Sequence, residues 1–355
     1  MFGSVRREDF GRLNDGTAVE KITLASPSGL TIQVLTLGAT VHALLLPLAG
    51  GKPVDVVLGK ETLAEYVQQG LGNASVMGRY ANRIGWASYP QDGGTVQLQA
   101  NFGPHILHGG RGCYAGRVFA PRLRQLEEEL QLELMLLDHG EGGFPGQLFF
   151  TVTYRLQWDR VILEYRAVPT ARTPWNVTSH AYFNLNGHGA AGDHQLWIGA
   201  DAYLPAGPDG LPTGEILPVA GTAFDFRRPR RLMEALADSS PQLLQFGGYD
   251  HNFCLAGQGL RRAAVLRGLE SGLELEVWTD QPGMQLFTFN QVPASLLGKD
   301  GASYRAHGAV CLETQNYPDA PNRPQFPNCF LEPGETGFTQ TQWVFPALTR
   351  QEEGA

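Results

Sequence analysis

Short runs with a strict period of two, and almost no sustained helical period beside them, constrain this chain most. Leu273-Glu274-Leu275-Glu276-Val277 alternates apolar and polar residues, as do Thr31-Ile32-Gln33-Val34-Leu35 and Leu130-Gln131-Leu132-Glu133-Leu134. Alternation puts one strand face on a core and the other towards solvent. Residues 148–158 and 161–168 read as consecutive strands around a tight turn at Asp159-Arg160. The 44 glycines and 23 prolines fall between such runs, where turns need them. Helical spacing is confined to residues 62–69 and 230–237. Strand–helix–strand alternation is missing, which excludes a doubly wound parallel sheet. The expected fold is mostly β, a large antiparallel β-sandwich with few short helices. It is expected to form one domain over residues 1–355, with its core at about 10–346 and a frayed tail over 347–355.

Hydrophobic residues make up 43% of the 355, enough for a sizeable core and too many for a disordered chain. The net charge of -8 argues against a nucleic-acid binder, which would be basic. Cys113, Cys254, Cys311 and Cys329 form no C-x-x-C pair, so neither a zinc nor a thioredoxin-type site is expected, and their scatter fits a reducing compartment. Residues 1–15 lack an apolar signal region, and no apolar run is long enough for a bilayer. A cytoplasmic protein without a membrane partner is expected. The sequons at Asn73 and Asn176 are discounted as chance triplets.

Several loop-like segments are dense in polar and aromatic residues. In Gly78-Arg79-Tyr80-Ala81-Asn82-Arg83-Ile84, two arginines and an amide suit sugar hydroxyls or an anion; the alternative is a solvated surface turn. His105-Ile106-Leu107-His108-Gly109-Gly110 carries an H-x-x-H, but no nearby acid or thiol completes a metal site, so hydrogen bonding is the expected role. Glu141-Gly142-Gly143-Phe144-Pro145-Gly146 lacks the ending of a phosphate loop and reads as a turn. His180 sits among small polar and aromatic residues, Thr173 to Leu185, and Glu313 is placed at the end of a strand over 309–312. Asp250 can accept from two hydroxyls or cap an Asx turn, and Gln285 enters a strand after Pro282-Gly283. A His and a Glu facing one ligand can serve as general acid and base. No nucleophile elbow, Walker loop or dinucleotide fingerprint appears, and no cofactor is expected.

Taken together, these segments resemble the aldose 1-epimerase (galactose mutarotase) family, in the family's order, from about Phe10 to Phe345. The matching stretches are Gly78 to Ile84, Leu107-His108-Gly109-Gly110, Gly142 to Gly146, Thr173 to Leu185, Pro212-Thr213-Gly214-Glu215, Phe224-Asp225-Phe226-Arg227, Asp250-His251-Asn252-Phe253, Pro282-Gly283-Met284-Gln285 and Leu312-Glu313-Thr314-Gln315. Each motif alone is weak; the ordered set is specific.

The resemblance implies a β supersandwich with an open sugar cleft and cofactor-free interconversion of α and β anomers of free aldoses such as galactose and glucose. It implies that Glu313 is the general base and His180 the general acid. It places Asn82, Arg83, His108, Tyr182, Asp250 and Gln285 on the sugar, with Arg79 beside them, and no metal. Thr279-Asp280-Gln281-Pro282, Phe287-Thr288-Phe289-Asn290 and Cys113-Tyr114 depart from the commoner family patterns and bear on substrate preference. The alternatives are a hexose-6-phosphate 1-epimerase, with Arg79 or Arg111 on the phosphate, and a non-catalytic sugar-binding protein. A glycosidase would need two carboxylates flanking the bond, leaving the His180 motif unexplained. A monomer is expected, with a homodimer as the alternative.

Overall fold

The computed structural model describes residues 2–48, 51–68, 74–292 and 296–349. Among these, the strands assemble into three larger antiparallel sheets and several two-stranded ribbons. The nine-stranded sheet runs, in spatial order, Ala120–Gln125, Leu130–Asp138, Leu148–Leu156, Arg160–Pro169, Gly337–Val344, Glu274–Thr279, Arg261–Gly268, His194–Ile198 and Arg230–Arg231. A five-stranded meander is built from Ser4–Arg12, Ala18–Ala25, Thr31–Leu35, Thr40–Leu46 and Val54–Asp55. The six-stranded sheet runs Tyr182–Phe183, Val310–Gln315, Gly283–Phe287, Asp250–Leu255, Ala200–Tyr203 and Leu217–Pro218.

The period of two behaves as expected on the large sheet. Leu130, Leu132, Leu134 and Leu136 are buried while Gln131, Glu133 and Met135 between them are half-buried. Each such leucine, fully buried, contributes about 1.5–3 kcal/mol. These side chains join one apolar cluster with Ile22 and Leu44 of the meander and with Phe253, Leu286 and Leu312 of the six-stranded sheet. The three central strands of that sheet are buried on both faces (Val310–Gln315 entirely so), leaving their second face for other work.

Four short α-helices occur among the described residues. Leu63–Gln68 lies where spacing placed a helix over 62–69, its entry fixed by a reciprocal Thr62–Glu65 capping box; position 69 lies outside the described residues. The helix expected over 230–237 is Leu232–Leu236, because Arg230–Arg231 pairs as an edge strand against Gln195 and Leu196. Pro241–Phe246 went unread, although proline opens it and left-handed Gly247 ends it.

The frayed tail was placed too early: Pro346–Thr349 is helical and Leu348 is buried in the main cluster. Positions 350–355 lie outside the described residues, as does the sequon residue Asn73. The other sequon residue, Asn176, is buried, donating to Ala81 O and accepting from Asn316 N.

Candidate active site

The second face of the six-stranded sheet carries the functional side chains, and cross-strand register aligns them. Asn252 pairs with Gln285, and Gln285 with Glu313. On the far side of the Glu313 strand, Tyr182 pairs with Cys311. Two residues back along one antiparallel strand and two forward along the other, His180 faces Glu313. The result is a row, Asn252–Gln285–Glu313–His180, in which the first three are ladder partners and His180 meets Glu313 side chain to side chain. His180 Nε2 stands 3.6 Å from Glu313 Oε1. Glu313 is not at a strand end, as its charge suggested. It lies inside Val310–Gln315 and is 2% exposed, with Leu312 turned to the core and Glu313 to the site.

The neighbouring row supplies further polar groups. Gln285 Nε2 donates to Asp250 Oδ1 at 2.7 Å, and Arg83 reaches Asp250 Oδ2 at 3.4 Å. Asn82 Oδ1 accepts from Arg83 N at 3.0 Å and from its guanidinium at 3.4 Å. His108 lies edge-on to His180, ring centres 5.3 Å apart, and Tyr182 stacks on His180 at 4.9 Å. Asn82 and His108 both hold left-handed backbone, φ 62° and 53°, a conformation that costs energy and clusters at functional sites. Gly109 follows at φ 86°, and a Cβ there would sit 2.1 Å from Gly78 O, so only glycine fits. A groove of about 330 Å3, lined by Phe102 and Phe287 among others, reaches the outer edge of the site at Arg83 and Asp250. A larger cavity of about 900 Å3, lined by Phe10, Leu63, Tyr66 and Arg111, contains none of them, and its size carries no chemistry.

Burial dominates the electrostatics. It pushes the Glu313 carboxyl well above its ordinary range; Asp250 pushes the same way and Arg83 opposes. Burial lowers His180 to about 4, against a pull upward from Asp250. His108 is held well below the ordinary histidine range by burial, His180 and Arg83. Burial likewise lowers His42 to about 3 and both His194 and His251 to about 4.

These histidines fold neutral but titrate near 6.5 when unfolded, so the unfolded chain binds more protons below that pH. Stability is therefore expected to fall steeply as pH drops from about 6.5 towards 4, by roughly 1.4 kcal/mol per pKa unit per group. Glu313, shifted upward, acts oppositely: its contribution is complete below its unfolded pKa and is lost as pH rises through the folded value. One carboxyl against five histidines leaves the acid-side loss dominant. Urea midpoints across pH 4–7 check this, and a flat profile would contradict it.

Eight of the nine expected site residues converge here or beside it: Glu313, His180, His108, Gln285, Asp250, Arg83, Tyr182 and Asn82, the last bonded to both Arg83 and His108. Arg79 does not join them. It is 1% exposed and donates to both Asp138 oxygens, at 2.8 and 2.7 Å, and to Pro145 O, Gly146 O and Thr173. It is a buried structural cation. The H-x-x-H also divides. His105 accepts from Trp86 N at 3.0 Å and faces Asp209 at 3.6 Å, away from the row. His108, judged to lack a third ligand nearby, instead meets His180 and Glu313 from distant segments, the three ligand atoms lying within 4.8 Å of one another. Asn252, two residues along from Asp250 on the same strand face, was missed; period-two spacing from Asp250 could have found it. Phe287, between Asp250 and Cys311, walls the site with its ring 6.3 Å from His180.

The family model described as Aldose 1-epimerase matches residues 20–342. The chain is 41% identical over 344 residues to the galactose mutarotase of Homo sapiens, covering 96% of this chain and 98% of that one. It is 35% identical over 340 residues to the aldose 1-epimerase of Escherichia coli (strain K12), covering 94% and 97%. Among solved structures, the galactose 1-epimerase from Lactobacillus acidophilus NCFM superposes with a TM-score of 0.86 at 28% identity, covering 97% and 98% of the two chains. A matching model over most of the length, and relatives this similar from end to end, carry the same conclusion as the fold and the His180–Glu313 row: the chain belongs to the aldose 1-epimerase family of isomerases.

Proposed function

We propose that the protein interconverts the α and β anomers of free aldoses, with galactose and glucose as substrates, using Glu313 as general base and His180 as general acid. The observation that carries this is the direct opposition of His180 and Glu313 in one row, flanked by the Gln285–Asp250–Arg83 chain of hydroxyl-binding groups. Glu313 takes the proton from the C1 hydroxyl while His180 gives one to the ring oxygen, and the C1–O5 bond breaks. The open aldehyde turns about C1–C2, and the C5 hydroxyl adds to its other face. His180 then regains its proton, and Glu313 returns its own to O1. Each positioned group contributes roughly 10²–10⁴-fold.

Burial penalises both charges and so favours neutral His180 and protonated Glu313. The reactive arrangement has the same number of protons, one of them moved from the carboxyl to the imidazole. The active, singly protonated form spans the interval between His180 protonation near 4 and loss of the carboxyl proton above the usual carboxylate range. Asn82, Arg83, His108, Asp250 and Gln285 are assigned to the sugar hydroxyls, and the Tyr182 ring to an apolar face of the sugar. We assign the chain to one domain, a reading supported by the shared apolar cluster, which takes in Leu348 and has Phe2 and Val5 packed against it.

Polarimetry on freshly dissolved α-D-galactose and α-D-glucose tests the reading. The protein should hasten approach to an unchanged final rotation, with a bell-shaped pH dependence whose acid limb lies near 4. No acceleration by folded protein with either sugar would refute it.

A further inference from the structure

His108, His180 and Glu313 would make two neutral imidazoles and a carboxylate, a donor set suited to a divalent transition metal. Hydrogen bonding around His108 argues the other way. Its Nδ1 accepts from the backbone N–H of Asn82 at 3.2 Å, and the His108 backbone N–H donates to Asn82 O at 2.9 Å. A neutral imidazole that accepts at one nitrogen carries its proton on the other. Nδ1 is therefore bare and Nε2 bears hydrogen. A metal-binding histidine needs the reverse, a free lone pair facing the ion and the far N–H given to an acceptor. Tautomer exchange at His108 would point an Nδ1–H at the Asn82 N–H, setting two donors against each other.

We propose that the Asn82 amide locks His108 as a permanently neutral Nε2–H donor, which grips an acceptor oxygen of the ligand beside His180 and Glu313 and denies the triad to divalent cations. The burial that holds His108 uncharged supports this. The donor half rests on the proposed epimerase reading; the tautomer itself does not. His251 and His194 are internal references. His251 accepts from Asp250 N at Nδ1, like His108, whereas His194 accepts from Leu185 N at Nε2 and faces Ala191 O through Nδ1.

Long-range proton–nitrogen spectra of histidine-labelled protein test the lock, with His108→Gln identifying the signal. His108 should match His251 and oppose His194, unchanged from about pH 5 to about pH 8. A protonated Nδ1, or a titration within that range, would overturn it. Cobalt(II) at about 1 mM should give no intense four-coordinate visible absorption. A band present in the wild type and lost in His108→Gln would also overturn it. In polarimetry, His108→Ala, without a donor, should have kcat/KM at least about ten-fold below His108→Gln, which keeps an N–H. Equal values would remove the donor role. Because the spectra need no turnover, failure of the epimerase reading would leave the tautomer result standing.

Discussion

Glu313→Gln should lower kcat on α-D-galactose by about 10³-fold, within the range expected for a single positioned base. The amide keeps the shape and can still hydrogen-bond a hydroxyl, so KM should change little. It cannot take a proton from O1. Stability should move in the opposite sense to activity. The carboxyl's folded pKa is raised, chiefly by burial, so at neutral pH the site carries the cost of a buried acid that would ionise readily once unfolded. Replacing it with a neutral isostere removes that cost, and the melting temperature should hold or rise. Polarimetry beside thermal denaturation separates the cases. A kcat near wild type would end the assignment of Glu313 as the base, and a large fall in melting temperature would mean the variant reports on folding.

Arg79→Met is expected to be the most damaging change away from the catalytic row. It would strand the Asp138 carboxylate, which also accepts from Tyr114 OH at 2.9 Å, together with the carbonyls of Pro145 and Gly146. Burial alone would raise the Asp138 pKa, but the hydrogen bonds and charge of Arg79 outweigh it and hold it low. Breaking a buried pair on one side costs about 3–5 kcal/mol, a fall in melting temperature on the order of 10 °C for a chain of this size. Adding Asp138→Leu should restore part of the loss, because the stranded charge goes with it. Where the variant remains folded, KM for galactose should stay close to wild type. A large rise in KM with little change in melting temperature would return Arg79 to the sugar.

Arg79 also shows where sequence reading stops. Arg79 and Arg83 stand four residues apart in one motif, and nothing local says that one turns inward to Asp138, 59 residues on, while the other reaches Asp250, 167 residues on. The strands were legible because their burial alternates every second residue, and His180 and Glu313 because their segments carry a distinctive order of motifs. The opposition of the two was not legible. It depends on hydrogen-bonded pairing between segments more than 120 residues apart, a non-local fact. Glu313 was put at a strand end since a charge normally stops an apolar run, and only the fold shows a second buried face waiting for it. The helix Pro241–Phe246 had its proline and its glycine, but six residues are too few for periodicity to register.

The row Asn252–Gln285–Glu313–His180 also makes the enzyme an auditor of its own assembly. Asn252, Gln285 and Glu313 come from three neighbouring strands aligned by ladder pairing, and side chains change face with every residue. A slip of one position in Val310–Gln315 would bring Leu312 or Thr314 to the sugar and drive Glu313 into the core. A compact chain with nearly the right secondary structure would then be silent in polarimetry. Specific activity after refolding therefore counts molecules whose strands are aligned to the residue, a distinction that circular dichroism would miss.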